Sequence, residues 1–261
     1  MPHDDFAPGS VWLVGAGPGD PELLTMKAVR LIERADIVFH DALVGEGVLA
    51  LIPPGTARIS VGKRSGRHSK DQRTIDAMLV DAAATGKKVV RLKGGDPSIF
   101  ARSAEELGAL RAAGFPVRIC PGITTACAAA ASAGISLTLR GVAREVRFVT
   151  AHSKRGAALG IDWHSLAHGG STLVFYMGRD AAEEIMRGLM RAGMPGAMPV
   201  LIACDVSSHR ERRLATRLDL LELATKSFAA DAPTLILIGA AVAQAGVASV
   251  NLEAIAEPVI G

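Results

Sequence analysis

The residues best suited to chemistry form the turn Gly94 to Pro97 (Gly-Gly-Asp-Pro), which follows a short apolar run. The run, Val89 to Leu92, is rich in β-branched residues and predicts a buried strand. Glycines let a ligand approach the main chain, and open α/β sheets bind ligands at the carboxyl ends of their strands. A plain tight turn, with Asp96 capping the next helix, accounts for the same residues. The other turns of the chain must decide between these two interpretations.

Similar turns follow other predicted strands. The first strand ends in a glycine-rich loop at residues 15–21, and the strand Ile37 to His40 ends at Asp41. Asp41 fits two roles, an acid placed for catalysis at a strand end or the cap of the helix that follows. The loop 62–69 joins glycines to three basic side chains and a histidine. That composition suits either plain solvation or an anionic ligand.

The first glycine loop has the spacing G-x-G-x-G-D, which differs from the G-x-G-x-x-G fingerprint of dinucleotide-binding folds. Asp20 occupies the place where a pyrophosphate would approach the N-terminus of the next helix, and the like charges would repel each other. No G-K-[ST] sequence follows, which excludes a P-loop. The loop therefore disfavours NAD and FAD as ligands.

The first half of the chain repeats a unit of strand, turn and helix, which predicts a parallel sheet with helices on its faces. The second half has predicted strands at 146–150, 172–176, 200–203, 211–215 and 234–238, and a helix from Ala181 to Arg191. Some of these strands follow one another without a long helix, which predicts a partly antiparallel sheet. Capping boxes are predicted at Ser69 with Gln72 and at Ser103 with Glu106.

The composition narrows the classes of protein. With 261 residues, of which 49% are hydrophobic, the chain is long enough for one large or two modest domains. Aromatic residues make up 4% and the net charge is +3, which disfavours a nucleic-acid partner. Three cysteines without C-x-x-C spacing predict a reduced, cytoplasmic setting without a disulfide framework or a metal site. We expect neither a signal sequence nor a membrane span.

Six short segments carry a resemblance to a known family. They are VGAGPGDPELLT at 14–25, DALV at 41–44, VGKRSGRHS at 61–69, RLKGGDPSIF at 91–100, PGITT at 121–125 and TLVFYMG at 172–178. In this order and spacing they resemble the tetrapyrrole methylases, and most of all the uroporphyrinogen-III C-methyltransferase branch. The resemblance covers residues 10–243.

The resemblance implies the two-domain α/β fold of the tetrapyrrole methylases, with domains at 10–127 and 128–243 and the active-site cleft between them. The first domain would hold a mostly parallel sheet and the second a mixed sheet. It also implies a cytoplasmic homodimer that uses S-adenosyl-L-methionine, releases S-adenosyl-L-homocysteine and needs no metal, nucleic acid or membrane. The substrate would be uroporphyrinogen III, methylated at carbons 2 and 7 to give precorrin-2 for siroheme, cobalamin and haem d1 synthesis.

The resemblance assigns roles to individual residues. Asp41 matches the acid proposed as proton acceptor, and Lys63 the residue proposed as proton donor. The implied contacts of the methyl donor are Pro18, Gly94, Gly95, Asp96, Ile99, Thr124, Thr125, Met177, Val206 and Thr234. Basic residues that suit the carboxylates of the substrate are Arg64, Arg67, His68, Arg102 and Arg140, with Arg144 as a further candidate.

Several positions depart from the commonest pattern of that branch. They are Ala42 in place of arginine, Ala101-Arg102-Ser103-Ala104 in place of a glycine-rich run, Leu139-Arg140-Gly141 in place of T-H-R, Thr125 in place of alanine, and Val206 near a usual glycine. Because most of these changes fall on the tetrapyrrole side, a precorrin methyltransferase acting at another ring position stays an alternative. A non-catalytic binder of S-adenosylmethionine or of a tetrapyrrole is disfavoured by the presence of both Asp41 and Lys63.

Overall fold

The computed structural model describes residues 6–62, 71–152 and 159–245. The chain divides into two compact units, which meet in sequence between Thr125 and Ala126. Each unit is built around its own five-stranded sheet. This is the α/β architecture that the sequence predicts.

The first unit is a parallel sheet covered by helices. Its strands are β1 (Val11–Gly15), β2 (Ile37–His40), β3 (Ala57–Ser60), β4 (Val89–Lys93) and β5 (Val117–Cys120), and its helices are α1 (Met26–Glu33), α2 (Glu46–Leu49), α3 (Gln72–Ala84) and α4 (Ser103–Ala112). The strand order is β3-β2-β4-β1-β5, and every pairing is parallel. The turns that follow β1, β2, β4 and β5 therefore emerge at one edge of the sheet.

The two faces of this sheet pack into separate layers because strand side chains alternate in direction. Trp12 and Val14 of β1 pack with residues of α1 and α2, whereas Val11 and Leu13 pack with residues of α3 and α4. In β4, Val90 and Leu92 belong to the α1 side. The intervening residues of β4 thus lie toward α3 and α4.

The second unit has a mixed sheet. Its elements are α5 (Thr125–Ala133, which starts at the boundary), β6 (Val146–Thr150), α6 (Trp163–His168), β7 (Thr172–Tyr176), α7 (Ala182–Arg191), β8 (Pro199–Cys204), β9 (Arg212–Arg217), α8 (Leu221–Phe228) and β10 (Thr234–Ile238). The order is β6-β7-β10-β8-β9, with β6 and β7 parallel and the remaining pairs antiparallel. This confirms the prediction of a partly antiparallel sheet.

The core of this second unit joins its sheet to α6, α7 and α8. Phe175, Ile185 and Ile236 are fully buried in it. The ring of Trp163 packs against this cluster and stacks on Phe175 at 6.4 Å. Gly188 of α7 lies directly against the same indole, because a Cβ there would come within 2.4 Å of it.

The helix starts differ from the predicted caps. Thr25 caps α1 through its hydroxyl, whereas Asp20 caps a short 3₁₀ turn before it. Asp71 caps α3, and Ser69, the predicted cap, lies outside the described residues. None of the described helices is long and apolar enough to cross a membrane.

Candidate functional site

The turns after β1, β4 and β5 pack against one another through glycines. Gly95 N donates to Gly17 O at 2.7 Å, and Gly17 N donates to Gly95 O at 3.2 Å. A Cβ on Gly122 would lie 2.4 Å from Gly95 O, and one on Gly15 would lie 2.5 Å from Gly122 N. No side-chain carbon tolerates such distances, so glycine is required where these backbones meet.

Asp96 ties two of these turns together with both carboxylate oxygens. Its Oδ1 accepts from Ser98 N at 2.7 Å, and its Oδ2 accepts from Gly122 N at 2.9 Å. The interpretation of Asp96 as a helix cap is wrong, because α4 begins only at Ser103. The carboxylate fixes the β4 turn to the β5 turn, and both of its oxygens already accept a backbone hydrogen bond.

Gly94 is the open position of the β4 turn. Its φ lies outside the left-handed region, and a Cβ there would meet Leu43 Cβ at 3.5 Å, an ordinary contact. Gly95, the next residue, has a φ of +67°, which favours glycine for its backbone alone. The backbone at Gly94 is half-buried, and the fold itself does not require a glycine there.

The remaining candidate contacts of the methyl donor in the first unit lie in the turns at this edge of the sheet. Pro18 follows the bridge residue Gly17, and Ile99 lies in the β4 turn beyond Asp96. Thr124 lies between β5 and α5, and Thr125 is the first residue of α5. All of them are half-buried. They are thus partly open to solvent, as contacts of a bound molecule must be.

Asp41 follows β2 at the same edge, beside the β4 turn, because His40 pairs with Leu92 in register. Its Oδ1 accepts from Arg91 Nη2 at 2.5 Å, and its side chain is 32% exposed. His40 Nδ1 donates to the main-chain carbonyl of Asp41 at 3.1 Å. The interpretation of Asp41 as a helix cap is wrong, since Gly45 occupies the N-cap position of α2 and no side chain caps that helix.

A buried group of charges lies behind Asp41. Arg91 Nε donates to Glu106 Oε1 at 3.0 Å, and Lys93 Nζ donates to Glu106 Oε2 at 2.6 Å. All three side chains are at most 4% exposed. Burial, which disfavours the ammonium form, lowers the pKa of Lys93 against the opposing attraction of Glu106. The motif pattern alone did not predict this group.

The sequence feature that could have predicted this buried group of charges is the alternation of apolar and basic residues within β4. Arg91 and Lys93 stand at alternate positions of an otherwise apolar, fully buried strand. Burying a charge is costly unless it is paired, so such a pattern predicts acidic partners on the layer that covers that face. Glu106 is that partner. The predicted capping box of Ser103 with Glu106 is wrong, because Ser103 Oγ instead donates to Pro97 O at 2.6 Å.

Arg102 stands just before α4 in the left-handed region, with φ of 55°. Its guanidinium forms a two-pronged ion pair with Glu105, at 2.8 and 2.7 Å. The hydrogen bond that Arg102 donates to the Glu105 carboxylate raises the pKa of Arg102. The side chain is 61% exposed, so this pair is weak and can be exchanged for an anionic ligand.

In the second unit, the candidate residues gather at one end of the sheet. Met177 follows β7, and Val206 lies two residues beyond Cys204, the last residue of β8. Thr234 starts the antiparallel strand β10 and pairs with Cys204 in register. Met177 has a φ of 56° and is 48% exposed, whereas Val206 is 6% exposed. Arg140 is exposed in a turn outside the sheet.

Comparison with known proteins shows where this arrangement belongs. Residues 10–222 match the model of a family described as Tetrapyrrole (Corrin/Porphyrin) Methylases. The chain is a member of the tetrapyrrole methylase family. This confirms the resemblance seen in the six sequence segments.

Two relatives carry names that bear on activity. The chain is 48% identical, over 91% of its length and 83% of the relative's, to a uroporphyrinogen-III C-methyltransferase of Paracoccus denitrificans. It is 46% identical over 92% of its length to siroheme synthase 2 of Serratia proteamaculans, of which it spans about half (50%).

Two solved structures of tetrapyrrole methylases share the fold. The uroporphyrin-III C-methyltransferase of Thermus thermophilus, complexed with S-adenosylhomocysteine, is 38% identical, with a TM-score of 0.77 over 90% of this chain and 99% of that one. A cobalt precorrin-4 methyltransferase is 26% identical, with a TM-score of 0.80 over 90% of this chain and 96% of that one. The α/β fold with one parallel and one mixed sheet is thus that of the tetrapyrrole methylases.

Some residues that the resemblance singles out lie outside the described part of this tetrapyrrole methylase. They are Lys63, Arg64, Arg67 and His68. Among the described residues, no group of three or more His, Cys, Asp or Glu side chains is arranged to hold a metal ion. The first unit thus offers a glycine-lined backbone turn beside one partly exposed carboxylate, which suits a ligand that binds main chain and a reaction that releases a proton.

Proposed function

We propose that this tetrapyrrole methylase transfers methyl groups from S-adenosyl-L-methionine to carbons 2 and 7 of uroporphyrinogen III, giving precorrin-2. The observation that carries the proposal is the adjacency of two turns, because Leu43 of the β2 turn lies 3.5 Å from where a Cβ of Gly94 would be. A donor held at the Gly94 backbone therefore lies beside Asp41. The named relative at 48% identity supports the same substrate.

The residues of the first unit fit the donor. Gly94 leaves a space that any larger residue would fill, and the glycine cluster with Asp96 keeps that turn rigid. When bound, S-adenosylmethionine supplies an electrophilic methyl group, so that the substrate carbon gains a C–C bond while the S–CH₃ bond breaks and its electron pair stays on sulfur. Positioning of the two reactants would supply much of the acceleration.

Asp41 is the residue that we assign as proton acceptor. After each methyl transfer one proton must leave the ring system, and a carboxylate at the strand end can take it. One of its oxygens is bonded to Arg91, and the partly exposed side chain can pass the proton to water. Lys63 is assigned as proton donor from the family resemblance.

We assign the binding residues on the same basis. The donor contacts are Pro18, Gly94, Gly95, Asp96, Ile99, Thr124, Thr125, Met177, Val206 and Thr234, and the contacts of the substrate carboxylates are Arg64, Arg67, His68, Arg102 and Arg140. Arg102 has a planar fork suited to a carboxylate, now occupied by Glu105. We further propose a cytoplasmic homodimer whose product feeds siroheme, cobalamin or haem d1 synthesis.

The test is an anaerobic incubation of the purified protein with S-adenosylmethionine and enzymatically generated uroporphyrinogen III, read by product mass. We expect a gain of two methyl groups, and a matched Asp41→Asn variant should bind S-adenosylhomocysteine normally but turn over about 10²–10⁴-fold more slowly. Methylation of a later precorrin but not of uroporphyrinogen III would contradict the proposal. Normal turnover by the variant would remove Asp41 from the mechanism.

A further inference from the structure

Four side chains of alternating charge form a continuous chain in the first unit. It runs from Asp41 through Arg91 and Glu106 to Lys93, with contacts of 2.5, 3.0 and 2.6 Å. Three of its members are buried, and only the Asp41 end reaches solvent. This series of ion pairs therefore begins at buried side chains under α4 and ends at the edge of the sheet, where the reaction is proposed.

Stability alone does not account for this group. Desolvating ions is costly, and buried ion pairs can often be replaced by apolar side chains of similar volume without loss of stability. The surrounding layer offers such a core, since Leu79 of α3 and Leu110 of α4 are completely buried on the same face. A buried arginine that reaches out of this layer to one partly exposed carboxylate indicates a role for that carboxylate.

The guanidinium of Arg91 is held in a single orientation. Its Nε bonds to Glu106, its Nη1 to Leu92 O at 2.9 Å and its Nη2 to Asp41. Lys93 binds the second oxygen of Glu106, so Glu106 cannot turn away from Arg91 without losing an ion pair. Because the planar guanidinium of Arg91 is bonded through all three nitrogens, its Nη2 holds Asp41 Oδ1 in a single position.

The second oxygen of Asp41 is left for the reaction. Within residues 6–62, 71–152 and 159–245, Oδ2 accepts no hydrogen bond, and the side chain is 32% exposed. In each transfer, the C–H or N–H bond that releases the ring proton leaves its electron pair in the ring system, and the proton forms an O–H bond at Oδ2. The proton then passes to water and Asp41 returns to the carboxylate.

We propose that Arg91 is a positioning residue that aims Asp41 Oδ2 at the substrate, and that Glu106 and Lys93 hold Arg91 for this task. This inference rests on the proposed function, since it assumes that Asp41 accepts the proton. Arg91 itself does not touch the substrate, because its side chain is 3% exposed and its nitrogens are occupied by protein.

The experiment is a double-mutant cycle with Arg91→Met and Asp41→Asn, measured as kcat with saturating S-adenosylmethionine. Arg91→Met should lower kcat by up to about 100-fold, the effect of a small misplacement of a reacting group. If Arg91 acts through Asp41, the double variant should fall no more than about threefold below Asp41→Asn alone. The affinity of Arg91→Met for S-adenosylhomocysteine, measured by calorimetry, should stay within about twofold of wild type.

Two controls separate positioning from damage to the fold. Arg111→Met makes the same chemical change at an exposed site on α4 and should leave kcat unchanged. Leu110→Ala removes buried packing from the same layer, so it should lower the melting temperature while the folded protein keeps its kcat. Arg91→Met must lower kcat in samples that circular dichroism shows to be folded.

The outcomes distinguish this inference from the proposed function. If Asp41→Asn retains wild-type turnover, the proposed proton acceptor is wrong and Arg91 has nothing to position. If Asp41→Asn is slow but Arg91→Met is normal, or the two losses multiply, only the positioning role is refuted. Loss of S-adenosylhomocysteine binding in Arg91→Met would likewise refute it, because the arginine would then support the β4 turn at Gly94 instead.

Discussion

Replacing Gly94 by alanine tests whether a ligand approaches the main chain of the β4 turn. A Cβ there would meet Leu43 Cβ at 3.5 Å, and its φ is not left-handed, so the fold should accept it. Stability should stay equal or rise by about 0.4–1 kcal/mol, because alanine narrows the unfolded ensemble. A methyl group forced into a close ligand contact costs about 1–3 kcal/mol, which weakens binding by about 5- to 150-fold.

The assay is calorimetric titration with S-adenosylhomocysteine, which binds without turnover, together with urea unfolding of the same samples. Gly108→Ala is the matched control, because an added Cβ there has no neighbour within 4 Å and lies on the exposed side of α4. It should stabilise the protein by about 1 kcal/mol and leave the affinity unchanged. Gly122→Ala is the opposite control, since its Cβ would lie 2.4 Å from Gly95 O and should cost about 3 kcal/mol or more of stability.

The reasoning is refuted if Gly94→Ala unfolds normally and binds S-adenosylhomocysteine with wild-type affinity. The glycine would then serve only the turn, as the plain-turn interpretation has it. A large loss of stability in Gly94→Ala would contradict the geometry itself. Only a stable variant with weakened binding agrees with a donor held at this backbone.

Three further substitutions test the structure around the site and in the second unit. Asp96→Asn replaces one carboxylate oxygen by an amide group, so one of the two backbone hydrogen bonds that Asp96 accepts is lost. The free energy of unfolding, measured in urea, should fall by about 1–3 kcal/mol. An unchanged free energy of unfolding would refute the tie between the β4 and β5 turns. Burial lowers the pKa of Lys93 in the folded protein below 10.5, its value in the unfolded chain. Between these two pKa values the unfolded chain binds more protons than the folded protein. The wild type should therefore gain stability relative to Lys93→Met as the pH rises toward about 10.5. Urea unfolding at several pH values checks this, and a constant difference would contradict it. Gly188→Ala should displace the Trp163 ring, lower stability by about 1–3 kcal/mol and alter tryptophan fluorescence, whereas an unchanged spectrum would refute the contact.

Much of the fold follows from local pattern. The continuous apolar run of β1 and the strand–turn–helix repeat predict a parallel sheet with both faces covered, which the first unit has. The helix from Gln72 to Ala84 ends where its pattern ends. Helix starts were harder to predict, because several Ser, Thr and Asp residues near each start compete for the same backbone donors. In the structure, Thr25 caps α1 and Asp71 caps α3.

The sequence by itself determined the turns that carry the site, since glycine, proline and aspartate have strong local preferences and the six segments occur in register. It also placed Asp41 at a strand end. The tertiary structure alone decided which charges meet, because the strand order brings β2 beside β4 and α4 covers their shared face. The local sequence predicts Glu106 as part of a capping box, yet its carboxylate instead pairs with the buried side chains of Arg91 and Lys93 on β4. Long-range pairing of buried charges outweighs a local cap, since an unpaired buried ion costs more than a lost surface hydrogen bond.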